Sequence, residues 1–287
     1  MHSVTQWMCG IESFKIMNRK YIYPLVIIIV TVALYYSDDF IGIDKKSKPK
    51  ISNTTITNSE EFNSSFLPVS NTGAIIKHNN FTLSYSEAHE QAEWVAYELK
   101  PSDLAKNNFE RPYFIQDKKV KTKSADWRNY KKSGYDRGHL VPAGDRRMSF
   151  EAYNETFLTS NISPQDHDFN AGIWNSLEQK VRYWATKYDG VYVVTGGVLN
   201  GNLKTIGHEK VSVPNDFFKI VVDISNGEYK AVAFIIPNKP SDKSFYEYIV
   251  SIDEIEAKTG IDFFPELPDS IENKLEQMVD LKAWGKR

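Results

Sequence analysis

The chain has one cysteine, Cys9, among 287 residues. That excludes an internal disulfide framework and any zinc site built from several thiolates, although it leaves the redox compartment open, since a large core can dispense with disulfides. No glycine-rich phosphate loop with a Walker-type lysine is present, so P-loop nucleotide chemistry is excluded as well. Internal repeats are also lacking, which removes solenoids and propellers. A charge excess of either sign is missing in aggregate: 35 Lys and Arg stand against 37 Asp and Glu, a net −2.

That balance conceals segregation along the chain. From Lys106 to Arg147 twelve basic residues stand against five acidic ones, and from Ser241 to Asp280 three basic residues stand against eleven acidic ones. Taken alone, such runs are usually solvated faces, but the basic run marks where a polyanion would dock. With 41% apolar and 13% aromatic residues, the chain can build a sizeable core.

Residues Tyr21 to Tyr36 are sixteen uncharged positions, preceded by Lys15, Arg19 and Lys20 and followed by Asp38 and Asp39. This is slightly short of the roughly 17 to 25 residues of a spanning helix, but tyrosines at both ends suit the two interfaces. A cleaved signal peptide competes with this assignment. Its best cleavage motif, Thr31-Val32-Ala33, lies inside the apolar run, so an uncleaved signal-anchor is expected. The expected organisation is an N-terminal cytoplasmic extension at 1–20 and a transmembrane anchor at 21–36. A flexible linker rich in Ser, Thr, Asn and Lys follows at 37–77, and a globular domain occupies 78–287. Met17, followed at once by Asn18-Arg19-Lys20, is an alternative start. The positive flank keeps the N-terminus inside, so the domain would face the bacterial periplasm or cell surface, or be secreted if the signal is cleaved.

Within the globular part, Phe81 to Tyr85 and Ala92 to Leu99 alternate as paired strands. Tyr188 to Val198, Phe217 to Ile224 and Tyr229 to Pro237 are further strands, the last two joined through Asn226-Gly227, a strong hairpin signal. Asp168 to Tyr188 and Ser244 to Thr259 carry helical spacing, the second with Ser241 or Asp242 as its cap. Strands and helices mix without regular βαβ alternation, which argues an α+β fold.

The chemistry concentrates in Tyr135-Asp136-Arg137-Gly138-His139-Leu140-Val141-Pro142, followed by Ser160-Asn161-Ile162-Ser163-Pro164-Gln165 and Asn170. Cleaving a phosphodiester requires deprotonating a water, stabilising extra charge on phosphorus and neutralising the leaving oxygen. His139 has the residue type for the base. Arg137, two positions earlier on a strand, points to the same face and suits a phosphate. Asn170 offers a neutral oxygen to a hard cation, and Trp174, Glu178 and Arg182 follow at steps of four, so the four form one slowly turning stripe. Glu178 would lie about 12 Å along the helix from Asn170, too far to ligate the same ion directly and better placed to act through water. Arg182 is then a phosphate contact or a partner for Glu178. An amphipathic helix with a surface Glu178–Arg182 pair is the bland alternative.

These spaced motifs, with Trp94-Val95-Ala96-Tyr97, Arg111-Pro112-x-Phe114 and Val213-Pro214-x-x-Phe217-Phe218-Lys219, resemble the DNA/RNA non-specific endonucleases, the ββα-metal (His-Me finger) nucleases. The resemblance covers about residues 80 to 260. It implies a central mixed or antiparallel sheet flanked by helices, and hydrolysis of DNA and RNA that leaves 5′-phosphate and 3′-hydroxyl ends. It also implies His139 as general base and Asn170 as the one direct protein ligand of Mg2+, with Mn2+ as a substitute. Arg137 and Arg182 would bind and stabilise phosphate, Glu178 would hold the hydrated metal, Asn161 would be a supporting active-site amide, and Arg111 would be an upstream phosphate contact. Asp136 is expected to support the strand, and His89, His167 and His208 to be solvated. The expected partners are the DNA and RNA backbone and, through 21–36, a membrane. No organic cofactor is expected, and a homodimer stays open. The competing class is a surface module that binds nucleic acid without cutting it; hydrolysis of a non-nucleic phosphodiester is a third possibility.

Overall fold

The structure, a computed structural model, describes residues 64–225, 227–279, 282 and 284. Chain contacts divide the protein after Asn58, and the described residues all belong to the second unit, Ser59–Arg287. The expected extension, the anchor at 21–36 and the linker as far as residue 63 lie outside the described residues.

Within the linker assigned to 37–77, the last part is folded. Ser64–Phe66 is a 3-10 turn whose Phe66 is fully buried and stacks on Tyr192 at 4.4 Å between ring centroids. Strand β1 (Ile75–Lys77) pairs with β2 (Thr82–Ser86). Polar composition masked this, because a single buried aromatic and one buried isoleucine, Ile76, anchor the segment without any periodicity to detect.

Strand β2 turns into β3 (Gln91–Leu99). The short pair β4 (Asp136–His139) and β5 (Ile162–Gln165) stands apart as its own sheet, as does the pair β7 (Thr205–Ile206) and β8 (Val211–Ser212). With β6 (Val191–Gly197), β9 (Asp216–Ser225), β10 (Glu228–Pro237) and β11 (Ile249–Val250), the main sheet has the order β1-β2-β3-β6-β9-β10-β11. Each of these pairings is antiparallel, so the sheet is not mixed. The β9–β10 hairpin runs in continuous register from Asp216↔Pro237 to Ser225↔Glu228, and Gly227 takes φ +76° at its tip, where a side chain would be strained.

Both faces of the sheet are covered, so its strands read as near-continuous apolar runs. Alternation still sorts them: Val95, Tyr97, Val193 and Val221 pack with Leu177 and Trp184 on one side, and Trp94, Ala96, Val194 and Phe218 pack with Ile255 and Phe263 on the other. Each such large side chain contributes about 1.5–3 kcal/mol when fully buried.

Helix α1 (Phe150–Glu155) is capped by Ser149. Helix α2 (His167–Phe169), capped by Asp166, runs into a π turn at Asn170–Trp174 and then into α3 (Asn175–Lys187). The break centres on Gly172, whose φ −97° and ψ −106° are not helical. The inserted π turn shifts the phase between Asn170 and Trp174, while Trp174, Glu178 and Arg182 keep their steps of four through regular helix, with Trp174 sealed in the core against Phe169 and Phe217. The helix expected from Ser244 to Thr259 is also shorter. Ser244 caps only a 3-10 turn (Phe245–Tyr248), Ile249 and Val250 pair with β10 as an edge strand, and helix α4 (Ile252–Thr259) starts at its own cap, Ser251. Two successive β-branched residues beside an open sheet edge favour pairing over helix. Helix α5 (Asp269–Glu276) completes the described elements.

Candidate active site

The site is assembled on β4, β5 and the helical segment that follows them. Arg137 pairs with Pro164, Gly138 with Ser163 and His139 with Ile162. Gly138 is required by close approach: a Cβ there would lie 2.1 Å from the Gln165 side chain. After His139 the chain is held by Asn161, whose Oδ1 accepts from Val141 N at 2.8 Å while its Nδ2 donates to the carbonyls of Val141 and Thr156 at 3.0 and 2.9 Å. Asn161 is buried and spends its amide on the backbone of the loop after His139.

His139 sits in an aromatic box. Its ring is 5.0 Å from Phe157, edge to face, and 5.5 Å from Phe114. Nε2 is buried with no hydrogen-bond partner. Nδ1 is not among the sealed atoms and makes no hydrogen bond among the described residues, so it is the nitrogen left to accept a proton. Burial, with the charge of Arg111 adding to it, pushes the imidazole down to about 3, and it is neutral throughout the physiological range.

Two arginines share that box. Arg137 Cζ stands over Phe114 at 4.9 Å and over Trp127 at 5.9 Å, and Arg111 Cζ over Phe114 at 5.7 Å and Phe157 at 5.6 Å. The structure therefore brings Arg111, Arg137 and His139 together around Phe114, with no carboxylate paired to either arginine among the described residues. Phe114, Phe157 and Trp127 went unassigned at the sequence level; a cluster of aromatics within a strongly basic stretch is the signal that was available.

Asn170 is joined to the same short strand from the other direction. Its Nδ2 donates to Asp136 Oδ2 at 3.0 Å, and that oxygen also meets His167 Nδ1 at 2.9 Å. Asp136 thereby fixes which end of the amide points away, leaving Asn170 Oδ1 without a donor among the described residues. A neutral oxygen oriented in this way fits a hard, hydrated cation. His167 is exposed but not simply solvated, because its bond to Asp136 raises its pKa.

Glu178 and Arg182 belong to a third group, anchored from the far side. Arg182 Nη1 donates to Asp145 Oδ1 at 2.7 Å, and Tyr97 Oη donates to Asp145 Oδ2 at 3.1 Å. Lys219, buried in β9, donates to Thr195 Oγ1 at 3.2 Å and lies 4.7 Å from the centroid of the Trp174 ring. Burial raises the Glu178 carboxyl, and the charge of Asp145 raises it further against Lys219 and Arg182. Lys219 is lowered, again by burial, while Glu178 and Asp145 resist. Glu178 makes no direct hydrogen bond among the described residues. The ion-pair partner of Arg182 is Asp145 and not Glu178. Sequence reasoning missed Asp145, Tyr97 and Lys219; a lysine inside the apolar run of β9 was the detectable sign, since a buried ammonium needs compensation.

A cavity of about 600 Å3 lies between the β9–β10 hairpin and α5, lined by Asp223, Tyr229, Lys230 and Leu275 among others. It shares no lining residue with the groups above.

A short antiparallel pair, a helix entered through an asparagine, and a histidine boxed beside arginines define a nuclease of the ββα type. The model of the DNA/RNA non-specific endonucleases matches residues 58–270, and the chain belongs to that family. It is 34% identical over 207 residues to the mitochondrial nuclease EXOG of Danio rerio, covering 66% of this chain and 60% of that protein. To a nuclease of Nostoc sp. it is 35% identical over 217 residues, covering 70% and 77%. To human mitochondrial endonuclease G it is 32% identical over 206 residues, covering 66% and 68%. Among solved structures, a crystal structure of the EndoG/EndoGI complex, which concerns the mechanism of EndoG inhibition, superposes with TM-score 0.66 at 29% identity, covering 74% of this chain and 91% of that one.

Proposed function

We propose that the protein is a divalent-cation-dependent endonuclease that hydrolyses backbone phosphodiesters of DNA and RNA, leaving 5′-phosphate and 3′-hydroxyl ends. The observation that carries this is His139: a neutral imidazole with one nitrogen sealed and the other free, beside two arginines that lack an internal counter-ion. Arg137 and Arg111 seat the phosphate and neutralise its charge. Nδ1 of His139 takes the proton of the attacking water, and Asn161 keeps the loop behind it in place. Asn170 Oδ1, aimed by Asp136, would hold the cation, and Glu178 would support it through water. When bound, a magnesium ion stabilises the extra charge that develops at phosphorus and at the leaving oxygen. Arg182, set by Asp145, supports the phosphate from the helix side. Because these contacts are to phosphate and not to base edges, little sequence preference is expected. The apolar run at 21–36 would tether the domain outside the cytoplasm, away from the host genome, which an indiscriminate nuclease requires.

Full-length protein incubated with supercoiled plasmid and with single-stranded RNA tests this. Both should be cut with Mg2+ and spared with a chelator, and His139→Ala should lower the rate by about 10²–10⁴-fold. Undiminished cutting by His139→Ala, or no cutting of either polymer by the parent with Mg2+ or Mn2+, would overturn the assignment.

A further inference from the structure

Four large aromatic side chains are exposed among the described residues: Tyr113, Trp127, Phe150 and Tyr183. Phe150 packs edge-on against Phe109 at 5.8 Å, and Tyr183 lies under Lys180 on the outer side of α3. Of the other two, Trp127 lies against Arg137 and Tyr113 is two positions along the chain from Arg111. Tyr113 is 92% exposed and adjoins Phe114, the ring over which Arg111 and Arg137 both stand. Trp127 is 37% exposed and carries Arg137 over its own ring. Neither ring packs on another aromatic, and neither polar tip makes a hydrogen bond among the described residues.

Trp127 is also held rigidly. It opens a 3-10 turn (Trp127–Tyr130) whose cap, Asp126, accepts from Arg128 N and chelates the Arg128 guanidinium at 2.8 and 2.9 Å. Asp126 N is in turn bonded to Glu209 at 2.8 Å. A fixed aromatic face loses little freedom when another ring lies on it. Singly exposed hydrophobics are ordinary on any surface, but an exposed tryptophan that carries Arg137 over its ring, with an exposed tyrosine in the segment that follows Arg111, has the composition of a single-strand site, cations for the backbone and flat faces for the bases.

We propose that Trp127 and Tyr113 form a stacking platform for unpaired nucleobases next to the phosphate held by Arg137 and Arg111, an inference that rests on the nuclease reading of the same site. Stacking accepts any base on either sugar, so it adds affinity without sequence readout. It also sets a substrate preference. In a duplex the base faces are already covered by their neighbours, so single strands, loops and frayed ends gain from the platform and intact duplex does not.

The test is binding of the full-length protein, in chelator, to a short labelled oligothymidylate and to an abasic strand with the same number of phosphates. The parent should bind the base-bearing strand more tightly, and Trp127→Ala and Tyr113→Ser should each lower the ratio of base-bearing to abasic affinity by about 5- to 100-fold. Trp127→Phe, which keeps a flat face, should retain most of it and guards against simple misfolding. Equal affinity of the parent for both strands, equal losses on both in the variants, or variants that alter only self-association in sedimentation would overturn the platform. Because no turnover is needed, the two readings fail separately. A parent that cuts plasmid yet ignores bases loses the platform alone, and one that discriminates bases yet never cuts loses the nuclease alone.

Discussion

Around His139 and around Asp145 the protein buries polar groups in opposite ways. At His139 the neighbours are rings and like charges: Nε2 of His139 and Nε of Arg137 are buried without partners, and Arg111 adds a second cation to the same box. At Asp145 the charges answer one another, with both carboxylate oxygens occupied by Arg182 and Tyr97, and with Lys219 and Glu178 each offsetting the other's burial. The first cluster is relieved only by something from outside, and an anion with several acceptor oxygens is what would relieve it. The second needs nothing from outside to hold its shape. Groups meant to meet substrate are left unsatisfied, and groups meant to aim them are satisfied internally.

The sharpest way to break this contrast is to remove the acceptor from the satisfied cluster. Asp145→Ala leaves Arg182 and Tyr97 without their shared carboxylate in a buried setting, and should cost about 3–5 kcal/mol. For a domain of this size each kcal/mol lowers Tm by roughly 2–4 °C, so calorimetry will show it. An unchanged Tm would mean that the cluster is not held by its own charges. His139→Ala, by contrast, removes an unsatisfied group and should leave Tm nearly unaltered.

A smaller effect is expected where the two clusters meet the cation. Glu178→Gln should raise the Mg2+ concentration needed for half-maximal plasmid cleavage by about 10–100-fold, the range for groups that act behind the direct ligand. Since the Glu178 carboxyl lies above its ordinary range, it takes up a proton as pH falls from 8 towards 5.5. The parent's Mg2+ requirement should therefore climb over that interval, and the glutamine variant should lose that slope. A parent requirement that is flat with pH would detach Glu178 from the cation.

The smallest effect belongs to a second buried histidine, treated in the manner of Asp145. His78 Nε2 meets Asp117 Oδ2 at 2.8 Å and its Nδ1 lies 3.5 Å from Glu155 Oε1, and Ser160, beside Asn161, donates to the same Asp117 oxygen at 2.7 Å. Burial pulls this imidazole down, but the hydrogen bonds and charges of Asp117 and Glu155 outweigh it and the pKa is raised above 6.5. A raised folded value means the contribution is fully present below the unfolded pKa of 6.5 and is lost as pH rises through the folded one. The parent's Tm should therefore fall as pH rises from 6 to 9, and His78→Gln should flatten that decline. An identical slope in the variant would show that His78 does not set it.

How much was legible depended on the range of the interaction. Asp136 to His139 and Ser160 to Gln165 were readable as strand-borne chemistry, and Asn226-Gly227 between two apolar runs marked the β9–β10 hairpin, whose register the structure bears out. The helical spacing after Asp168 was visible, but not the π turn at Gly172, because a period of 3.6 carries no trace of one added residue until its neighbours are packed. The cap expected at Ser241 or Asp242 lies further along, at Ser251, because Ile249 and Val250 pair with the open edge of β10 before the helix begins. Phe66 looked like linker because its partner, Tyr192, is more than a hundred residues away.

By itself the sequence determined the family, the α+β class and the short list of groups able to handle a phosphate, because motif spacing, alternation and turn chemistry act over a few residues. Only the tertiary structure decided which of those groups stay unsatisfied and which are tied back. The aromatic box that makes His139 neutral and the Asp145 anchor of Arg182 are built from side chains far apart along the chain. Their burial and charge compensation exist only once the sheet and the helix have closed on one another.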